Sequence, residues 1–518
     1  MSWKPEVDEL HRREELARGM GGAERIARQH EAGRLTVRER IERIADPASF
    51  HETGALTGVP VYDGDRLVEI RPSNFVTGTA RIDGRRVVLG GDDFTVRGGA
   101  ADGTVGYKAG YAERMALELR LPIVRLVDGT GGGGSVKSLE TTRRTYVPAN
   151  PAMEIMTELL STVPVVAAAL GPVAGLGAAR VVYSHFSVMP RATSQLFVAG
   201  PPVVRRGIGQ DVDKETLGGS SIHTRESGAV DNEVESEDEA FAQMRRFLSY
   251  LPSSVYELPP VAPCADPASR REEELLQIVP RNRRQPHDVR RIIALVCDRD
   301  SFFEMSPRFG RSLVTGFARL AGRPVGVLGN DPKWLGGAVD GPASDKLVRF
   351  VDLCDTFHLP VANFVDNPGF LIGVSGERAG TIRRGARAIA AVYQATVPWC
   401  SIIVRRVFGV AGAAHGNHSK LNLRYAWPSG EWGSLPIEGG VEAAYKRDLA
   451  AAADPEALRR ELEAKLGAMR SPFRTAEIFG VEEIIDPRDT RALLCEWLET
   501  AYRLLHAEVG VKRRGMRP

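Results

Sequence analysis

Three glycine-rich stretches are the residues of this chain best placed to do chemistry. Gly129-Thr130-Gly131-Gly132-Gly133-Gly134-Ser135 follows the apolar run PIVRLVD, Gly175-Leu176-Gly177-Ala178 follows VPVVAAAL, and Gly409-Val410-Ala411-Gly412 follows VPWCSIIV. Small residues at the end of a buried strand let main-chain N–H groups approach a ligand. An oxyanion hole built of such donors would stabilise an enolate or a thioester oxyanion. The alternatives are a flexible turn for the first stretch and close helix packing for the other two.

Other chemistries lack their residues. The first stretch satisfies GxGxxG, but VKSLETTRRTYVPANP after it is polar and β-branched with Pro148 close by, and no Gly-Lys-Ser/Thr closes it. Neither a dinucleotide fingerprint nor a Walker A loop fits. His415 and His418 in HGNH have no Cys or carboxylate cluster to complete a metal site, so they read as solvated or locally hydrogen-bonded histidines. There is no GxSxG elbow and no HExxH, which leaves the chemistry to backbone and cofactor.

The elements that must position these loops alternate between β-rich runs (RRVVLGG, PIVRLVD, VPVVAAAL) and helix-like runs (KAGYAERMALELR, PAMEIMTELL), an α/β pattern. The pattern then repeats at an offset of 238. Val76–Val87 lies over Val314–Val325 with eight of twelve positions identical, Gly98–Gly103 over Gly336–Gly341, Lys108 over Lys346, and Leu121–Asp128 over Leu359–Asp366. After a slip of four residues the two strand-to-glycine-loop segments also pair, so the chain reads as two copies of one domain.

Five prolines between Pro252 and Pro267, followed by a charge run, set the boundary near 250–285, giving domains of 1–265 and 266–518. Residues 8–45 read as amphipathic helices broken at Gly21 and Gly22, a cap or arm on the first domain, and the tail KRRGMRP as short and solvated. A net charge of +2 gives no reason to expect nucleic acid or a membrane surface as partner. Five scattered cysteines without a CxxC pair, after a start with no apolar signal region, favour a cytoplasmic location. Val163–Ala179 is long and apolar, but its prolines and glycines mark a buried strand entering a tight loop rather than a membrane span.

RQHEAGRLTVRERIERIADPASFHETG, DDFTVRGGA, GPVAGLGAA, FVAGPPVV, LGGSSIHTRESGAVDNE, DNPGFLIG, ATVPWCSIIVRRVFG and IDPRDTR together make the chain resemble the carboxyltransferase (β) subunits of biotin-dependent acyl-CoA carboxylases, such as propionyl-CoA and methylcrotonyl-CoA carboxylase. The resemblance covers nearly the whole chain. It implies two tandem crotonase-like domains, each a spiral of ββα units, in a homohexamer arranged as a trimer of dimers. Its active sites would form where the first domain of one chain meets the second domain of another. It implies acyl-CoA as substrate and biotin carried on a separate biotin carboxylase/biotin carboxyl carrier subunit, with no metal in this chain. Carboxybiotin would release CO2 and act as base, and the thioester enolate would attack CO2 at its α or vinylogous γ carbon.

Carried over by residue, the first oxyanion loop falls on Gly175, Leu176 and Gly177 and would hold the thioester oxygen. The second falls on Val410 and Ala411 after Gly409 and would hold the biotin ureido oxygen. Gly131, Gly132, Gly133 and Gly134 would line the substrate site. Lys108, Lys346 and the basic stretch Arg383, Arg384 and Arg387 are candidates for the CoA phosphates, with a solvated surface or an intersubunit salt bridge as the alternative for each. Both loops depart from the usual Gly-Gly-Ala. That departure keeps a non-catalytic scaffold subunit open as an alternative, beside a biotin-dependent decarboxylase running the half-reaction in reverse.

Overall fold

The computed structural model describes residues 2–100, 105, 107–129, 136, 139–140, 143–145, 147, 152–418, 420–421 and 423–518. The chain forms two α/β units, Met1–Glu257 with Gly510–Pro518, and Leu258–Val509. The division lies N-terminal of the expected residue 265. The tail, expected to be solvated, belongs to the first unit: Gly510 N–H donates to Val255 O and Met516 is only 3 % exposed.

The first unit has strands β1 (His51–Glu52), β2 (Gly58–Asp63), β3 (Arg66–Pro72), β4 (Phe75–Ile82), β5 (Arg85–Asp92), β6 (Ile123–Val127), β7 (Val165–Ala169), β8 (Pro172–Ala174), β9 (Phe186–Pro190), β10 (Gln195–Phe197) and β11 (Asn232–Val234). Seven of them form one sheet in the order β1-β4-β5-β6-β7-β9-β11, antiparallel as far as β5 and parallel beyond it. Strands β6 and β7 are fully buried and largely apolar because helices cover them. Ala112 and Ala116 of the helix Lys108–Leu119, with Ile155 and Leu159 of the helix Ala152–Leu159, pack on Phe75, Val88, Ile123 and Val165.

The second unit repeats this plan with β12 (Phe303–Met305), β13 (Leu313–Leu320), β14 (Arg323–Asn330), β15 (Val361–Asn367), β16 (Trp399–Phe408), β17 (Leu423–Ala426), β18 (Glu431–Gly433) and β19 (Glu483–Ile484), in the order β12-β13-β14-β15-β16-β17-β19 with β18 also on β16. The duplication read from the sequence extends to the backbone. The β4–β5 hairpin turns at Asp83 (φ 49°) and Gly84 (φ 79°), and the β13–β14 hairpin at Ala321 (φ 49°) and Gly322 (φ 79°), the left-handed pair a two-residue hairpin needs. Asp46 accepts both N–H groups of the first turn and Asp298 both of the second.

The N-terminal residues form three helices, Lys4–Arg18, Ala23–Glu31 and Val37–Ile44, the last started by a capping box between Thr36 and Glu39. They do more than cap. Arg40 is fully buried, with its guanidinium on Asp128, Glu237 and the Leu170 carbonyl.

Candidate functional site

Strand β7 leads through β8 to Gly175, which has φ 57° and open space where a Cβ would sit. Gly175 N–H donates to Phe197 O, and the helix Leu176–Val182 starts directly after it. The N–H groups of Leu176, Gly177 and Ala178 lie in the first turn, where a helix offers no acceptor, and they donate to none among the described residues. Gly177 is closely packed: a Cβ there would lie 3.0 Å from Val173 Cγ1 and 3.3 Å from Gly129 O.

Charged groups fix the C-terminal half of this helix. Arg180 Nη1 donates to Asp92 at 2.8 and 3.1 Å, and its guanidinium lies over the Phe75 ring. Arg125, paired with Glu113, donates to the carbonyls of Arg180 (3.1 Å) and Tyr183 (2.5 Å). Burial alone would lower the pKa of Arg180; the Asp92 carboxylate reverses this and raises it, keeping the ion pair intact.

In the second unit β16 delivers Gly409 directly, with φ 62°, into the short helix Gly409–Ala413. Val410 and Ala411 N–H again donate to no acceptor among the described residues; the Val410 side chain is exposed and Ala411 is buried. Neutral hydrogen bonds anchor this segment. The carbonyl of His415 accepts from Asn363 Nδ2 (2.8 Å), Trp399 Nε1 (2.8 Å) and Ser401 Oγ (2.9 Å), and its ring Nδ1 bonds Gly412 O (2.8 Å).

Asp128 and Asp366 occupy equivalent places at the ends of β6 and β15, each buried, with N–H on Asp92 and Asn330 respectively. The turn before each makes close backbone contact. A Cβ on Gly99 would fall 2.3 Å from Asp128 O, and one on Gly337 2.7 Å from Asp366 O. Asp128 is the residue from which the first glycine stretch departs, and Gly131–Gly134 lie outside the described residues.

The other sequence candidates separate. Lys108 is half-buried with Nζ on Gly54 O, and burial holds its ammonium below the usual lysine range. Lys346, expected to face CoA phosphates, is instead buried, and its three N–H groups go to the carbonyls of Ser306, Phe309 and Leu313 at 2.7–3.1 Å. Arg383, Arg384 and Arg387 are exposed on the helix Thr381–Gln394, Arg384 lying 3.5 Å from Asp345. His418 bonds Ala413 O and His415 bonds Gly412 O, so both histidines are locally hydrogen-bonded, His415 being buried. Among the described residues no group of three or more His, Cys, Asp or Glu could hold a metal, and no helix is long and apolar enough to cross a membrane.

Sequence reading missed Arg125, Arg180 and Asp92. Arg180 follows the quoted GPVAGLGAA directly, and an arginine inside the apolar run PIVRLVD was the available signal for a buried charge.

Residues 28–516 match the carboxyl transferase domain family. The chain is 35% identical over 501 residues to the propionyl-CoA carboxylase carboxyltransferase subunit of Haloferax mediterranei, covering 95% of both chains. It is 32% identical to the methylmalonyl-CoA decarboxylase subunit alpha of Veillonella parvula, covering 94% of this chain and 93% of that one. Among solved structures, the transcarboxylase 12S hexamer with methylmalonyl-coenzyme A and methylmalonic acid bound superposes with a TM-score of 0.86 at 31% identity, over 100% of this chain and 98% of that chain. The likeness to carboxyl-transferring enzymes runs along the whole length of both crotonase-like units, and the chain belongs to the carboxyl transferase family, as a carboxyltransferase subunit of the biotin-dependent acyl-CoA carboxylases.

Proposed function

We propose that the two loops divide the reaction between them. The N–H groups of Leu176 and Gly177, shaped by Gly175, hold the thioester oxygen of an acyl-CoA, and those of Val410 and Ala411, after Gly409, hold the ureido oxygen of biotin on a partner biotin carboxylase/biotin carboxyl carrier subunit. The observation that carries this is the repetition itself: β7 by way of β8, and β16 directly, lead into a glycine at φ 57° or 62°, followed by N–H groups with no acceptor among the described residues.

Carboxybiotin supplies the carboxyl group and the base. The chain's own residues bind and orient. Donors fixed in advance stabilise the oxyanion as the α-proton leaves, without reorganising at that moment. No acidic or basic side chain of the chain is assigned a proton. Lys108 and the exposed Arg383, Arg384 and Arg387 are the cations proposed for the CoA phosphates, and Gly131–Gly134 for the substrate wall beside Gly129. The assembly proposed is a homohexamer of three dimers, six chains of 56.4 kDa, which mass photometry reads directly.

The test is the half-reaction in reverse. The assembled protein is incubated with free biotin and malonyl-, methylmalonyl-, ethylmalonyl- or methylglutaconyl-CoA, and decarboxylated acyl-CoA is measured. Turnover of at least one, lost in Gly177→Val and in Ala411→Leu, is the expected result. Silence across the panel from a correctly assembled oligomer would return the chain to the scaffold reading.

A further inference from the structure

Beside the first loop, strands β8 and β10 form a two-stranded parallel sheet. On the edge of β10 that faces β8, Phe197 O accepts the N–H of Gly175, the glycine that turns the chain into the loop, and Gln195 N–H reaches Gly171 O. Successive carbonyls of a strand point to opposite edges, so Leu196 O faces away from β8, where no strand pairs with it.

Its donor is a side chain. His223 lies in a π-helical turn, Ile222–Glu226, closed by Ser227 N–H on Ile222 O, a rare geometry that recurs at functional sites. Its Nε2 stands 2.8 Å from Leu196 O and its Nδ1 3.3 Å from Ser227 Oγ. A carbonyl only accepts, so Nε2 carries the proton and Nδ1 accepts from the serine hydroxyl. Burial lowers the ring's pKa, which keeps this neutral form in place at ordinary pH. The turn is itself anchored: Glu233, almost fully buried, accepts from Ser220, Thr224 and Arg225. The residues before it press on the same strand, since Gln195 Nε2 donates to Glu215 and a Cβ on Gly218 would fall 2.2 Å from Leu196 O.

We propose that His223 is a positioning residue for the first loop: through Leu196 O it fixes β10, β10 fixes Gly175 through Phe197 O, and Gly175 sets the direction of the Leu176 and Gly177 N–H groups. This rests on the assignment of that loop to the thioester oxygen. In the second unit the strand paired beside the glycine is β18, anchored instead by Trp432 Nε1 on Thr475 Oγ1 at 3.0 Å, so the effect of His223 is confined to the first loop.

The test compares two substitutions in the assembled full-length protein. His223→Gln carries an amide N–H to the Nε2 position, and the shorter His223→Asn does not reach it. Amide hydrogen exchange, read by mass spectrometry on peptides from the first loop and the second, reports order without turnover. His223→Asn should speed exchange at the first loop about tenfold, the worth of one hydrogen bond, and leave the second unchanged. In the reverse half-reaction with free biotin it should lower kcat by ~10- to 100-fold with the KM for biotin unchanged. His223→Gln should recover most of both losses. Unchanged exchange at the first loop, equal acceleration at both loops, or no recovery in His223→Gln would overturn the proposal. If the first loop loosens while kcat holds, Gly177→Val separates the causes: a harmless Gly177→Val sinks the thioester assignment, and a damaging one sinks this inference alone.

Discussion

The two units neutralise the same buried aspartate in different ways. In the second unit Asp366 receives Arg405 and Arg406 from β16, the strand that runs on into Gly409. Burial alone would raise this carboxyl's pKa, but the two guanidinium groups bring it below the usual range. In the first unit the corresponding strand has Gly171 instead, and a Cβ there would lie 2.1 Å from Asp128 Oδ1 and 2.5 Å from Arg34 Nη1. The cations come from the N-terminal helical segment: Arg34 at 3.1 Å and Arg40 at 2.8 Å, with Gln29 adding an amide. What the duplication preserves is the carboxylate and its place in the backbone. The partner is whichever cation can reach it, because a buried charge without one is too costly to keep.

Removing one partner therefore discriminates between the units. Arg40→Ala leaves Arg34 and Gln29 on Asp128 but takes the buried cation from Glu237, and should destabilise the protein by about 3–5 kcal/mol in urea unfolding, the range for breaking a buried ion pair. Arg406→Ala leaves Arg405 on Asp366 and should cost less, about 1.5–3 kcal/mol. Equal losses would refute the distinction.

The loops give the next contrast. Gly177→Val presses a side chain onto Val173 and Gly129 O and should lower kcat of the reverse half-reaction by ~10²–10³, the loss seen when one oxyanion donor is removed. Asp92→Asn copies the second unit's Asn330 into the first. If charge is what fixes the first loop, this exchange unpairs Arg180 and lowers stability by about 1–3 kcal/mol, whereas a neutral result would mean that packing alone suffices.

Acid should act on the second unit through His287 and His415, both held near pKa 4, by burial first in each case. The unfolded chain takes up these protons below about pH 6.5 and the folded one only near pH 4, so stability falls as pH drops through that window, by up to ~1.4 kcal/mol per pH unit for each histidine. His287→Phe should flatten the slope of unfolding free energy against pH between 6 and 4.5. The smallest effect is expected from Ser401→Ala, which removes one of three donors on the His415 carbonyl and should cost about 0.5–1.5 kcal/mol.

Much of this was legible in the residues. The 238-residue offset held because both copies keep the same hairpin turns, and a turn that needs φ > 0 at two positions leaves a pattern in sequence. The loops were visible because few residues but glycine tolerate the backbone of Gly175 and Gly409. Lys346 misled: its alignment with Lys108 suggested a shared role, yet one ammonium is enclosed by three carbonyls and the other half-buried against a single one. Pattern does not register which side of a helix faces an unfilled cluster of carbonyls. Gln29, Arg34 and Arg40 were illegible for a related reason, since partners 88–99 residues away in sequence share no periodicity with Asp128.

The return of residues 510–518 to the first unit has a consequence for biosynthesis. A ribosome releases the first sheet early, but Met516, which fills part of that unit's interior, is synthesised only after the whole of the second unit. The first unit therefore waits, incompletely closed, while the second is made, and its last packing step follows the synthesis of the whole second unit. Fusions or tags placed beyond Met516 would act on the N-terminal unit, half a chain away from where they are attached.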